Sequence, residues 1–449
     1  MAVLRSGARK GKAPAAIRRA RVAVSLCFMV MGMTNGAWTS RIPAIKEQAH
    51  LSDGTLGVAL FAVPIGLVLG AAAAERLVDR AGSARVAWIS GAALGVFTAV
   101  PGLAGNLPEL MAALLAMGIA GGMMDVAQNS QGVRLESAYG RPVMTSLHAF
   151  FSLGAIAGSL AGGGFAWAGA GALTSLAAEG LTGVAIVAVS GRWFLVGTGR
   201  EPARDAPHVD VPRLERAERR QVGRIVVALG VLAICGMVGE GAAGDWSAVY
   251  LKDNLGANAG VAALGFAAFS ATMTGGRLAG DRLVHRFGAA AVARACGITA
   301  TIGLAASLAT TSAYFTIAGF AVFGAGLSIV VPQVFAAGGR ADPERPGSGL
   351  ARVVGLGYAG LSTGPAVIGA VASRTGLRAA LAIPLVLVLW IIIAAPAIGK
   401  ANAKAGASLH DQGKLSDRSE EGKAGQTASS VRDNGFRAPA PGATHGDLR

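Results

Sequence analysis

Charge is scarce in this chain. Asp, Glu, Lys and Arg make up 14% of its 449 residues, against roughly 25% in soluble domains, whose surfaces charge must solvate. Hydrophobic residues reach 53% and the mean hydropathy is +0.52. A soluble protein of this size could not cover itself with so little charge, so the chain reads as a membrane protein. Cysteine is scarce as well. Cys27, Cys235 and Cys296 each sit inside an apolar run, and without a CxxC or a Cys/His cluster they support neither a disulfide framework nor a zinc site. No metal and no cofactor are expected. The chain lacks a GxxxxGK[ST] loop and any nucleophile constellation, which argues against an enzyme, leaves no catalytic residue to name, and argues equally against ATP-driven transport. Its 66 glycines follow no Gly-x-y period. They fit better as small residues that let membrane helices approach closely.

What charge there is has an uneven distribution. The net charge is +15 and the isoelectric point near 10.6, values that also suit a nucleic-acid binder. The opening MAVLRSGARKGKAPAAIRRAR holds seven Lys/Arg and no acid, and the remaining bases fall in short links between apolar runs and in the C-terminal tail. Basic links flanking spans are what the positive-inside rule describes, so the partner is a lipid bilayer and not a nucleic acid. A basic start followed by an apolar stretch also resembles a signal peptide. Here the apolar stretch continues through Trp38 and has a counterpart in the second half, so it is read as a retained span.

A helix needs about 20 mostly apolar residues to cross the hydrocarbon core. Such runs occur twelve times: 21–43, 54–74, 84–103, 108–131, 145–167 and 172–191, then 224–250, 260–279, 290–308, 313–335, 352–372 and 377–397. The weakest boundaries are at Pro101 in span three and at Ala168–Ala170 between spans five and six. Barrel strands would show short alternating segments, so the expected class is an all-α membrane protein of twelve transmembrane helices. Only Arg41, Lys46, Lys252, Arg374 and Arg378 fall on the side opposite the basic arm, out of 40 Lys and Arg. Both termini are therefore expected in the cytoplasm. The expected organisation is a basic arm over 1–20, a six-helix half over 21–191, a polar cytoplasmic linker over 192–223 with a short surface helix at its basic end, a second half over 224–397, and a disordered tail over 398–449.

One charged phrase occurs twice. AERLVDRAG, Ala74 to Gly82, is matched by GDRLVHRFG, Gly280 to Gly288, and each links the second and third span of its half. Leu56-Gly57 recurs as Leu264-Gly265, and Trp38 as Trp246, at nearly the same offset. Duplication of a six-helix unit explains these matches together.

An acidic residue, an Arg, one spacer and a Gly in the loop between helices two and three resemble the signature of the major facilitator superfamily. Asp79-Arg80-Ala81-Gly82 carries it in the first half and GRLAGDRLVHRFG, Gly276 to Gly288, in the second. The resemblance covers about residues 21–397 and implies the major facilitator fold, two six-helix pseudo-repeats that rock about a central site. Charges at these helix ends either satisfy the positive-inside rule alone or form a latch that holds the cytoplasmic side shut in one state. The resemblance points to the latch, with Asp79, Arg80, Arg277, Asp281 and Arg286 as gating residues. The second copy departs from the pattern: His285 stands where the family has Asp, and Asp281 lies one helical turn earlier. Ser83-Ala84 and Ala289-Ala290 replace the basic pair that often closes the motif.

Ionisable groups inside a span cost several kcal/mol, so each is a functional candidate with a partner to find. Span seven contains GMVGEGAAGDWSAVYL, with Glu240 near mid-membrane, Asp245 and Trp246 further out, and a glycine density that suggests a bent or interrupted helix. Span one contains MGMTNGAWTSRIP, with Asn35, Trp38 and Arg41. Trp38 and Trp246 suit either an interfacial belt or the apolar wall of a sugar site. In span four, GGMMDVAQNSQG places Asp125, Gln128 and Asn129 on one helical face. His148 opens span five as either a proton-relay or gate residue or a hydrogen-bonded interfacial histidine; Gly154, Gly158 and Gly162 then form a packing face. Gln333 follows Pro332 in span ten and adds a possible cavity hydrogen bond. In the resembling superfamily helices one, four, seven and ten line the cavity.

RIPAIKEQ after span one, DVAQNSQG, SLHAFFSLG and EGAAGDWSAVYL together resemble a bacterial branch distantly similar to fucose-type sugar permeases, which includes membrane proteins from rhizopine gene clusters; rhizopines are inositol-derived amines. The Arg frequent in helix four of proton-coupled members is absent from LLAMGIAGG. So is the helix-five Gly-Pro motif of drug antiporters, although Gly364-Pro365 occurs in span eleven. The expectation is a monomeric secondary transporter of the bacterial inner membrane that moves a sugar, polyol or inositol-derived amine by alternating access. Asn35, Trp38, Asp125, Gln128, Asn129, Glu240, Trp246 and Gln333 are the candidate substrate-binding residues. Since desolvation favours a neutral carboxyl, Glu240 and Asp125, with His148, are the candidates for coupling a proton. The alternatives are an exporter of amphipathic or cationic compounds, and a membrane sensor or scaffold signalling through the tail.

Overall fold

In the computed structural model, residues 14–139, 143–195, 216–341 and 346–403 are described. Most of the basic arm, most of the linker and the tail beyond 403 lie outside them, as does the side chain of Asp281. The described chain is helical without a strand, and twelve helices are long and apolar enough to span a membrane. They are Ala15–Gln48, Asp53–Ala81, Ser83–Leu103, Leu107–Tyr139, Ser146–Trp167 and Ala172–Trp193 in the first half. Arg219–Asn254, Ala259–Gly280, Ala289–Ala309, Ala313–Ala341, Arg352–Thr375 and Leu377–Ala394 form the second. They are called spans one to twelve below.

Four local expectations change. Residues 398–403, expected in a disordered tail, are helical, with Ile398 and Ala401 fully buried. Span one starts at Ala15, because Ala20, Ala23 and Val24 are fully buried and Arg21 is held by Ser146 Oγ at 3.3 Å and by the face of Tyr139. Arg18 and Arg19, assigned to the arm, thus belong to the helix instead of preceding it. The basic end of the linker likewise forms no separate surface helix; from Arg216 it is the start of the span-seven helix. That helix runs unbroken to Val249, through all its glycines, and its irregularity is a π-helical turn at Tyr250–Asn254. The glycines serve contact instead: Gly236 faces Val331, Gly239 faces Leu327 and Phe323, and Gly241 faces Leu361.

Within the first half, span one packs on five, two on four, and three on six; in the second, seven packs on eleven, eight on ten, and nine on twelve. The packing face expected in span five is present. Gly154 abuts the backbone of Met29 and Met33, and Gly158 that of Met33 and Ala37. Without a hydrophobic driving force between helices in lipid, such close backbone approach is what holds them together. At Pro101 the helix stops at Ala99 and tightens into a 3₁₀ turn, Val100–Leu103, and Gln48 caps the turn by donating to Gly102 and Ala104 carbonyls at 3.0 and 2.9 Å.

The duplicated phrase has one geometry. Gly82 and Gly288 both adopt φ 81°, with ψ 147° and 148°, a left-handed conformation that glycine enters without the clash of a Cβ. Each donates its N–H 2.9 Å to the carbonyl of the residue four before it, Val78 or Val284. The N-caps of spans two and eight, Ser52 and Asn258, also stand 206 positions apart, as Gly82 and Gly288 do, and each accepts from the amide three residues on. This single register overrides two sequence matches. It pairs Trp38 with Gly244, not Trp246, and Leu56-Gly57 with Ala262-Ala263, two residues short of Leu264-Gly265.

The halves meet along two seams that the register relates. Gly57 of span two faces Pro365 and Gly369 of span eleven, and Ala263 of span eight faces Gly163 of span five and accepts from Ser159 Oγ at 3.0 Å. Shifting Ser159 and Gly163 by one repeat gives Pro365 and Gly369. Both seams lie toward the ends that carry the 46–53 and 252–258 turns.

A candidate substrate cavity between the halves

Where the seams part, a cavity of about 310 Å³ opens between the halves. Its lining follows the repeat. Asn35, Trp38 and Thr39 of span one stand opposite Gly241, Gly244 and Asp245 of span seven. Leu60, Val63, Pro64 and Leu67 of span two stand opposite Phe266, Phe269, Ser270 and Met273 of span eight. Every one of these pairs is 206 residues apart. Duplication therefore built the two walls, and later substitution made them chemically unlike.

The charged groups of the lining all lie in the second half. Glu240 accepts from Arg277 Nη2 at 3.1 and 3.4 Å, while Arg277 Nε lies 3.4 Å from the carbonyl of Ser328, at the break in span ten. Both side chains are accessible from the cavity, at 27% and 36%. Asp245, one and a half turns further along span seven, also lines the cavity. On the wider side, span four presents the polar face expected of it: Asn129 donates to the Asp125 carboxylate at 3.0 Å and Gln128 approaches it at 3.4 Å. His148 is exposed, edge-on to Phe28 at 5.0 Å, and within electrostatic range of Asp125 and Arg277. Tyr358 of span eleven lies within range of both Asp125 and Glu240. Asp125, His148 and Tyr358 thus lie within electrostatic range of one another or of the Glu240–Arg277 pair, outside the cavity lining.

The far end is shut. Ile42, Ile45, Trp246 and Val249 are fully buried there. Beyond them Lys46 binds Asp253 at 2.5 Å and Asp53 at 2.6 Å, and Lys252 binds Glu47. Lys46 and Lys252 are repeat equivalents, as are Glu47 and Asp253. Two symmetry-related ion pairs thus cross from half to half above the cavity. At the opposite end Asp79, Arg80 and Arg286 are exposed. The side chains of Asp79 and Arg80 make no ion pair or hydrogen bond among the described residues, and Arg286 rests over Phe287 at 5.1 Å.

Of the sequence-derived binding residues, Asn35, Trp38 and Glu240 line the cavity. Asp125, Gln128 and Asn129 form their own hydrogen-bonded cluster outside the lining. Gln333 is half-buried in span ten and outside the lining. Trp246 is neither belt nor wall: it is fully buried, its Nε1 without a partner among the described residues, because its side chain packs at the shut end. Arg277, expected at a latch, instead reaches Glu240 within its own half. Two charged residues are missing from the candidate binding residues, although Asp245 is named from the sequence as an ionisable group of span seven. Asp245 is the repeat partner of Thr39, a signal available only at the register of 206. Glu179 of span six is 5% exposed, receives Ser175 Oγ at 3.4 Å and lies within electrostatic range of buried Arg41, which donates to the Ala170 carbonyl at 2.6 Å. A lone Glu inside ALTSLAAEGLTG carries no pattern to announce that pair.

The comparisons agree with this architecture. The Major Facilitator Superfamily model matches residues 24–349. An uncharacterised MFS-type transporter of Yersinia pestis is 32% identical over 84% of this chain and 95% of its own length. Membrane protein MosC of Rhizobium meliloti is 31% identical over 80% of this chain and 85% of its own length. Among solved structures, a D-xylose–proton symporter superposes with a TM-score of 0.66 over 86% of this chain and 97% of that one, at 15% identity, which is a likeness of fold.

Proposed function

The chain belongs to the major facilitator superfamily and is a multi-pass membrane transporter, not an enzyme; from that premise we propose that it moves a small polar solute, a sugar, polyol or amino-polyol, by proton-coupled alternating access. The observation that carries the proposal is the cavity itself. It combines aromatic and aliphatic walls (Trp38, Phe266, Phe269) with a few convergent polar groups (Asn35, Thr39, Ser270, Glu240, Asp245), the composition of a site for a small organic ligand. Aromatic faces suit the apolar face of a sugar ring, while carboxylates and amides suit its hydroxyls.

The charge bias supports a cytoplasmic position for the 76–82 and 282–288 turns, in a bacterial inner membrane. On that orientation the conformation is inward-open, with the crossed Lys46–Asp253 and Lys252–Glu47 pairs closing the periplasmic side. Asp79 and Arg80, unpaired among the described residues, then engage when the cytoplasmic side closes. Glu240 is the proposed proton carrier: protonation would release Arg277, and its ionised form would recapture it. Asp125 and His148, within electrostatic range of each other, are the proposed relay partners.

The stacked Phe266 and Phe269 rings, 6.2 Å apart, favour a second reading, export of amphipathic cations. Proteoliposomes loaded with a pH-sensitive dye separate the two. Inward proton flux on adding external sugars or polyols supports the first reading. Flux only with lipophilic cations replaces it with the second, and no flux with either class refutes proton coupling.

A further inference from the structure

Three charged side chains line the cavity: Glu240, Asp245 and Arg277. Two of them neutralise one another across 3.1 Å. Asp245 has no hydrogen bond or ion pair to any described residue, and it sits at the shut end, beyond Glu240 and level with Thr39. Arg41, the other cation at that level, is committed elsewhere, donating to the Ala170 carbonyl beside Glu179. An unpaired carboxylate inside a membrane protein costs several kcal/mol and persists where a ligand or proton completes it.

The rest of the lining narrows what completes it. Hydroxyls of a neutral polyol offer hydrogen bonds, but Thr39, Ser270 and Asn35 already supply polar contacts for those. A protonated amine offers hydrogen bonds and charge together, and charge-assisted bonds are about twice as strong as neutral ones. Trp38 and Phe266 line the same end, and aromatic faces attract cations further. Resting on the polar-solute reading above and deepening it, we infer that Asp245 anchors a cationic group, so that the transported solute is a small polyhydroxylated or similarly polar molecule bearing a protonated amine.

The test uses matched neutral and amino probes on the purified full-length chain: glucose with glucosamine, myo-inositol with an amino-deoxy-inositol, and sorbitol with glucamine. Thermal stabilisation titrated with each should show the amine bound about tenfold tighter or better than its neutral partner in at least one pair, from the greater strength of a charge-assisted bond. Asp245→Asn should erase that preference and Asp245→Glu retain it. As a check that does not need the variants to fold, carbodiimide labelling of Asp245 in the wild-type protein should be slowed by the amine and not by its neutral partner. Equal binding within every pair, or a preference that survives Asp245→Asn, overturns the anchor while leaving a polar-solute transporter. Stabilisation by lipophilic amines alone, lost in Asp245→Asn, keeps the anchor and removes the polar-solute reading. No response to any amine overturns the inference.

Discussion

Lys46 and Asp253 meet at 2.5 Å across the two halves of the molecule, and their repeat equivalents, Lys252 and Glu47, meet beside them. The pairing is crossed: each lysine takes the acid of the other half. Two copies of one Lys-acid dipeptide, brought together by the pseudo-two-fold axis, suffice to close one end of the cavity. The two pairs are not equal. Lys46 is 14% exposed and also holds Asp53, whereas Glu47 is 75% exposed, and solvent-exposed ion pairs contribute only about 0–1 kcal/mol.

Removing the better-shielded pair should therefore shift the conformational equilibrium more. Lys46→Gln is expected to raise the outer-open population roughly two- to fivefold, as a loss of up to about 1 kcal/mol implies, and Glu47→Gln less than that. Reactivity of a cysteine placed at Ala257, read with an impermeant thiol reagent, measures it. Asp79→Asn should act in the opposite sense, favouring the inward-open form, because it weakens the proposed latch of the other face.

Glu240 and Arg277 are expected to fail singly and recover together. Glu240→Gln leaves the guanidinium unpaired in the cavity, and breaking such a pair costs more than replacing both members. Proton-driven uptake should fall about tenfold or more and lose its response to the pH gradient, which is the cost expected when a charged hydrogen bond is lost. Glu240→Gln with Arg277→Gln should recover substrate binding by thermal stabilisation but not coupling to the gradient. Uptake by Glu240→Gln that still follows the gradient would remove its coupling role.

The span-one and span-five interface should tolerate no added side chain. A Cβ at Gly158 would collide with the backbone of Met33 and Ala37, while at Gly164, two turns further out, nothing lies within 4 Å. Gly158→Leu should destabilise the protein by about 1–3 kcal/mol, the usual cost of overpacking, seen as a lower melting temperature in detergent. Gly164→Ala should leave it unchanged.

Arg41 and Glu179, 3% and 5% exposed, lie within electrostatic range of one another in the first half without a direct ion pair. Arg41→Met removes a cation within range of that buried carboxylate and should cost about 1–3 kcal/mol, whereas Arg41→Met with Glu179→Leu should restore most of it. Melting temperatures of the single and double variants decide the matter; additive losses would mean the two side chains are independent.

The fold was legible because it rests on signals that composition and order carry directly: twelve apolar runs, a sharp Lys/Arg asymmetry and a phrase repeated in register. The span-five glycines were legible for the same reason, as a spacing of four. Trp246 misled, since an aromatic match two residues out of register resembles a true repeat until the helix caps fix the offset. The glycines of span seven misled differently, because close contact and helix interruption favour the same residue. Asp245 and Arg277 were visible as charges but not as cavity walls. Which face of a helix looks inward depends on packing against four or five neighbours, and Glu179 shows that a partner on another span leaves no local trace.

One cavity reached in turn from each side is what alternating access requires. The native cysteines are all buried, so Asn35→Cys provides a reporter in the cavity against a quiet background. Impermeant thiol reagent is applied separately to right-side-out and inside-out vesicles. Labelling from the face bearing Asp79, extended to the opposite face when Lys46→Gln and Lys252→Gln open the outer end, is the expected result. Labelling from one face only, in both backgrounds, would contradict alternating access through this cavity.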